Sequence, residues 1–272
     1  MVIYFSSILL SIALAIVGPL TFWPTKEWYD FYIPIVLFIA GIVGMFIFWF
    51  ASYYIIACIL SLKKNPKKIS KLARFMLVDA MRCIDIGSLS IVKVVGKDLL
   101  PKKQRFLFVQ NHTSRFDPMI TNGYFPFSDI AFITKPGNYK IPIANKLMPR
   151  LFYQAIDRED PIQSLGVIRN SIELINNDVT SIGVYPEGMR HLDNTLGEFH
   201  EGVFNICLKA HCPLVVSVIK NAYKIRDNFP LKCTKVTLEI VKVIPYEEME
   251  GKTAKALSDE VHALMLERLQ EK

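Results

Sequence analysis

The chain has 272 residues, 51% of them hydrophobic, and a formal net charge of +7. Its mean hydropathy of +0.29 is unusual for a purely soluble protein, and the length suits one ordinary domain plus an addition. Five cysteines, odd in number and without framework spacing, argue against a disulfide scaffold and fit a reducing compartment.

The apolar excess is concentrated at the start of the chain. Met1 to Thr25 contains no charged residue; after Lys26, Glu27 and Asp30, the stretch Phe31 to Leu62 is again uncharged. A bilayer span needs about 20 apolar residues, so residues 1–62 are expected to form a transmembrane helical hairpin. Trp23, Trp28, Tyr29 and Tyr32 gather around the short connection, as interfacial aromatics do. The first run lacks the preceding Lys or Arg and the small-residue cleavage site of a signal peptide. The alternative is a hairpin buried inside a large soluble core.

Next comes "KKNPKKISKLAR", with Lys63, Lys64, Lys67, Lys68, Lys71 and Arg74. Basic residues flanking a span stay on the cytoplasmic side, so both ends of the hairpin are expected to face the cytoplasm. A basic juxtamembrane segment thus covers residues 63–88. Within it, Leu72, Phe75, Met76, Leu77 and Met81 fall at near-helical spacing. Such a helix either lies in the membrane interface or packs on the following domain. The charge does not point to nucleic acid, because the basic residues gather beside the apolar runs and no recognition motif is visible.

From residue 89 to 272 the pattern is that of an α/β domain. Strands are expected at 89–96, 105–111, 129–135, 152–157, 181–188, 214–220 and 235–244. Helices are expected at 161–177 and 202–211 and in the C-terminal segment from Gly251. Such domains place their chemistry in loops beyond the strand ends.

Four strand ends carry reactive or charged groups. "NHTSRFDP" holds His112 and Asp117; "ITKP" holds Lys135; "AIDRED" holds Arg158; "YPEGMRH" holds Glu187, Gly188 and Arg190. Proline suits the first turn of a helix and aspartate is a favoured cap before it, so Asp117 is expected to cap a helix starting at Pro118. His112 in the lead-in loop then has a way to fold toward Asp117; equally, Asp117 only caps and His112 is incidental. Three cationic groups beside a His–Asp pair suggest an anionic substrate, most naturally a phosphate. Cys207, His211 and Cys212 lack a second ligand cluster, so no metal site is expected. "HEGVF" has Phe204 where a zinc protease needs its second histidine. Neither a nucleophile elbow nor a dinucleotide or P-loop motif is present, and no cofactor is expected.

These blocks resemble those of the 1-acylglycerol-3-phosphate (lysophosphatidic acid) acyltransferase family. "NHTSRFD", "AIDR", "YPEGMR" and "CPLVVSV" (212–218) stand in that family's order, and the likeness runs from about Ser88 to Asn221. The resemblance implies a mixed sheet flanked by helices and an enzyme moving an acyl group from acyl-CoA or acyl-carrier protein to lysophosphatidic acid at a bilayer. It implies His112 as general base and Asp117 as its partner. Arg158, Glu187, Gly188 and Arg190, with Lys135, would hold the glycerol phosphate, and Pro213 would help shape the site floor. Two departures stand out. Met189 replaces the hydroxyl residue usual between Gly188 and Arg190, which opens the identity of the acceptor to another lysophospholipid or a lyso-aminolipid. Phe116 in the first block is bulky, which suits a position facing the acyl chain. A non-catalytic basic membrane scaffold is the reading from a different class, and it leaves the ordered strand-end residues without a role.

Overall fold

A computed structural model describes residues 2–22, 32–62, 66–157 and 159–271. Two long helices open the chain, α1 (Val2–Phe22) and α2 (Tyr32–Leu62). Both are long and apolar enough to cross a membrane by length and composition, and little of either is buried in the protein. The tryptophan-rich connection and the first lysines of the basic run lie outside the described residues.

The hairpin is bonded to the helix that comes after it. Helix α3 (Lys71–Gly87) begins at Ser70, whose hydroxyl accepts from the Ala73 N–H. Its buried Asp79 accepts from the backbone N–H of Val2 at 2.8 Å and from the Tyr53 hydroxyl at 3.1 Å. One carboxylate therefore caps the start of α1 and ties α2 to α3, supplying a partner for N–H groups that a helix cannot satisfy itself. Ala73, Met76 and Cys83 pack with Ile3, Tyr53 and Ala57 in a satellite core. Of the two expected places for this basic helix, the structure shows contact with the domain. Arg74 turns inward, donating to Asn122 Oδ1 at 2.6 Å and to the Phe125 carbonyl at 3.0 Å.

The domain is a seven-stranded mixed sheet in the order β1-β7-β6-β2-β5-β3-β4. The strands are β1 (Ser90–Val95), β2 (Leu107–Gln110), β3 (Ile130–Thr134), β4 (Gln154–Ala155), β5 (Ser181–Val184), β6 (Leu214–Lys220) and β7 (Thr234–Ile244). All adjacent pairs are parallel except β6 with β7. All seven expected strands are present. Strands β2 and β5 are buried throughout, because helices cover both faces. Alternation along the strands sorts the core. Leu107 and Val109 face one layer with α6 (Pro161–Asn176), α7 (Asn205–Ala210) and α9 (Ala254–Gln270). Phe106 and Phe108 face the other, with α4 (Asp117–Tyr124) and α8 (Lys224–Asn228). The short α5 (Ala144–Leu147) precedes β4.

Caps explain the longer helices. Asp160 accepts from the N–H groups of Ile162 and Gln163 ahead of α6, with Pro161 in the first turn, and Thr253 caps α9. The helix expected at 202–211 is instead a 3-10 turn, Glu201–Phe204, leading into α7.

Candidate active site

The carboxyl ends of β2, β3, β4, β5 and β6 lie at one edge of the sheet, and the chemistry-bearing loops leave from there. Asn111, just beyond β2, is buried and clamps the neighbouring strand. Its amide donates to the Ile219 carbonyl at 3.0 Å and accepts from the Ile219 N–H at 2.8 Å. His112 is thereby launched from a fixed point.

His112 Nδ1 lies 2.8 Å from Asp117 Oδ2. The Asp117 side chain is fully buried and that of His112 is 19% exposed. The expected cap is corrected here: Phe116 holds the cap position and α4 starts at Asp117 itself. The carboxylate reaches backward instead, accepting from the N–H of Thr113 at 2.6 Å and of Ser114 at 2.7 Å. Three donors converge on one oxygen, which offsets the cost of burying a polar group there. With Asp117 ionised, Nδ1 of a neutral His112 is the donor, so Nε2 carries the lone pair.

The ring of Tyr185 stacks on the His112 imidazole, centroids 4.1 Å apart and 19° from parallel. Phe132 stacks in turn on Tyr185 at 5.2 Å. Gly183 makes room for this column, since a Cβ there would meet the Phe132 ring at 2.7 Å. Burial, with Asp117 nearby, pushes the Tyr185 phenol well above its usual range, so the ring beside His112 stays neutral.

The loop after β5 closes around the same histidine. Glu187 Oε1 accepts from the His112 N–H at 2.6 Å, and the His112 carbonyl accepts from the His191 N–H at 2.8 Å. Glu187 Oε2 accepts from the Gly197 N–H at 2.9 Å, with His191 Nε2 at 3.5 Å. Burial raises the Glu187 carboxyl above its ordinary value, opposed by these bonds and by the two histidines. Both Glu187 oxygens thus face protein donors. Gly188 takes φ +71°, where a side chain would be strained, and turns the chain so that Arg190 is half-buried beside the loop.

Lys135 is exposed at the carboxyl end of β3, on the same sheet edge as His112. Arg158 lies outside the described residues. Met189 is exposed. Phe116 packs against the core layer that holds Ile120 and Phe108. Pro213 is a correction: its carbonyl accepts from the N–H of Leu107 at the amino end of β2, so it lies at the far end of the strands from His112. Asn111, Tyr185, His191 and Gly197 were not singled out from sequence. Asn111 opens the first block, Tyr185 opens the third and His191 directly follows it, which is the only signal they carry.

A cavity of about 510 Å³ lies at the amino end of the sheet, lined by Lys97, Lys102, Lys103, Arg105 and Phe127 among others. Its acids Asp129 and Asp178 are paired with Arg105, and it holds no His–acid pair. The reactive groups are at the other end.

The sheet carries helices on both faces and a buried His–Asp pair at its carboxyl edge, and a family model described as Acyltransferase matches residues 91–220. A 1-acyl-sn-glycerol-3-phosphate acyltransferase of Limnanthes douglasii is 22% identical over 172 residues, covering 62% of this chain and 59% of the relative. A probable 1-acyl-sn-glycerol-3-phosphate acyltransferase of Mycoplasma genitalium is 31% identical over 146 residues, covering 52% and 53%. The match thus spans little more than half of each relative. The crystal structure of the 1-acyl-sn-glycerophosphate acyltransferase PlsC from Thermotoga maritima superposes with a TM-score of 0.62 at 23% identity, covering 82% of this chain and 93% of that one, and shares the fold. Residues 91–220 thus carry an Acyltransferase domain, and the relatives similar to it are 1-acyl-sn-glycerol-3-phosphate acyltransferases.

Proposed function

We propose that this protein transfers a fatty acyl group from an acyl thioester to the sn-2 hydroxyl of lysophosphatidic acid, giving phosphatidic acid at a membrane surface. The observation that carries the reading is the His112–Asp117 bond, made through Nδ1 on a fully buried carboxylate by a ring that is itself 19% exposed. The relatives' names supply the acceptor.

A glycerol hydroxyl is a poor nucleophile. His112 Nε2 takes its proton as the oxygen attacks the thioester carbonyl carbon, a step for which base catalysis contributes about 10²–10⁴ in rate. The oxyanion re-forms the carbonyl, the carbon–sulfur bond breaks, and the thiolate recovers the proton from the imidazolium. Asp117 stabilises that imidazolium and fixes its tautomer. No acyl-enzyme is formed. Glu187 holds the His112 backbone, while Arg190, Lys135 and Arg158, with the backbone turn at Gly188, surround the acceptor's phosphate. Acyl-CoA or acyl-carrier protein serves as donor. The hairpin (residues 1–62) and basic segment (63–88) hold the catalytic domain (89–272) on the cytoplasmic face, where a one-chain lipid acceptor, only marginally bound to membranes itself, is concentrated.

Exposed Met189 supports a second reading in which the acceptor is another lysophospholipid or a lyso-aminolipid. Purified protein incubated with a labelled acyl thioester and a panel of lysolipids, beside His112→Ala and a phosphate-free acceptor, tests both. Phosphatidic acid formed only by the wild type from the phosphorylated acceptor is the expected result. Turnover by a well-folded His112→Ala protein would remove the mechanism, and preference for a different headgroup would favour the second reading.

A further inference from the structure

The catalytic edge of the sheet carries a small projecting turn that the chemistry above does not use. Between α8 and β7, residues Phe229, Pro230, Leu231, Lys232 and Cys233 are exposed in succession. Leu231 is 95% and Phe229 51% exposed. The turn is held in shape from beneath. The Asn228 carbonyl accepts from the N–H groups of Leu231 at 3.0 Å and Lys232 at 2.8 Å, and the Asn228 amide donates to Thr234 Oγ1 at 2.9 Å. Buried Ile225 anchors α8 in the core. An aliphatic side chain is thus held in water by a fixed backbone, although nothing in the domain needs it there.

Its surroundings indicate what covers it. Lys224, Arg226, Lys232 and Lys235 flank the tip against one acid, Asp227, which pairs with Arg226. An apolar tip ringed by cations matches an anionic lipid surface, where the tip enters the acyl boundary and the lysines meet headgroups. The position fits as well. The Thr234 N–H donates to the Leu89 carbonyl at 3.0 Å, which joins the turn to the end of α3. Exposed Ile86, Leu89 and Ile91 continue the apolar surface from there, and α3 is the helix that grips the hairpin through Asp79. On the other side, Asn221 at the end of β6 bonds Asn194 of the loop after β5. The turn therefore lies beside the end of α3, on the sheet edge that carries the candidate active site.

We propose that residues 229–233 form a second membrane contact, a basic apolar turn that seats the catalytic edge on an anionic bilayer independently of the hairpin. Because the hairpin fixes only one side of the domain, this contact on the rim sets the tilt of the site toward the lipid.

The turn contains its own reporter, exposed Cys233; Cys83, Cys207 and Cys212 are buried, and Cys58 is removed as Cys58→Ser. The full chain, labelled at Cys233 with an environment-sensitive dye, is reconstituted in vesicles of phosphatidylcholine alone or mixed with phosphatidylglycerol. A control protein carries the dye at Phe127→Cys, also with Cys233→Ser, on the exposed turn at the opposite end of the sheet. In mixed vesicles, aqueous iodide is expected to quench Cys233 at least about 3-fold less than position 127, and headgroup-proximal brominated lipid is expected to quench it more. Phe229→Asp with Leu231→Asp should abolish that difference, and Lys232→Glu with Lys235→Glu should remove its dependence on anionic lipid. Equal iodide access at the two positions overturns the proposal. So does shielding that follows protein density rather than lipid charge, which would make the turn a contact with a second copy. None of these readings depends on catalysis, so failure of the acyltransferase reading would leave the result intact.

Discussion

Strand β2 is entered past Arg105, whose guanidinium pairs with Asp178 at 2.7 Å and Asp129 at 3.4 Å, and is left through His112, whose imidazole pairs with Asp117 at 2.8 Å. The two ends present the same kinds of group, a cation former and carboxylates. They differ in what surrounds them. Asp178 is 82% exposed and its pair with Arg105 is screened by water. Asp117 is fully buried, with two backbone N–H groups as well as the imidazole on one oxygen. In the proposed mechanism a carboxylate held in that way orients a proton acceptor, whereas the exposed one only balances charge.

The largest test of this contrast is Asp117→Asn. The amide keeps the shape but gives up the charge that stabilises an imidazolium, so kcat should fall about 10²–10⁴-fold, read in a steady-state acyl-transfer assay on folded protein. A loss below tenfold would reduce Asp117 to a loop fastener. Next in size, Glu187→Gln keeps one acceptor oxygen for two backbone donors, and should lower kcat about 10–100-fold while thermal unfolding shifts little. A change in acceptor KM alone would instead place Glu187 against the substrate.

A third test concerns a buried carboxylate without such partners. Asp85 on α3 is buried, neither oxygen has a hydrogen-bond partner among the described residues, and burial raises its pKa to about 7 against the pull of Arg82. A raised acid binds its proton more tightly in the folded state, so this group's contribution to stability is lost as pH rises from about 4 to about 7. Asp85→Asn should therefore gain about 1–3 kcal/mol over the wild type at pH 8, and that gain should vanish near pH 4 in denaturant titrations. A pH-independent difference would mean that Asp85 is paired in solution. The smallest effect belongs to the amino end of β2. Arg105→Ala should cost no more than about 1 kcal/mol and leave transfer unchanged. Loss of activity there would erase the contrast between the two ends.

Much of this was legible in the chain. The strands announced themselves because β2, β5 and β6 are buried on both faces and read as apolar runs. The blocks fell at strand ends because Pro118 and Gly188 interrupt any continuation. What was hidden depends on contacts between distant segments. Asp117 looks like a forward cap because aspartate before proline usually is one; only the fold shows its oxygen facing back to Thr113 and Ser114. Pro213 shares a block with β6 and so reads as part of the site, yet a strand has two ends and the block begins at the wrong one. Nothing local in the sequence pairs Glu187 with Gly197 or lays Tyr185 on His112.

Asp79 has a consequence for motion. Because one side chain holds both the first turn of α1 and the Tyr53 hydroxyl of α2, the hairpin is not a slack tether but a stem continuous with the domain. With that stem in a bilayer, the protein would sit at one depth, as a keel fixes a hull. Its search for an acceptor would then become a drift in two dimensions, with the mouth of the site always at the waterline.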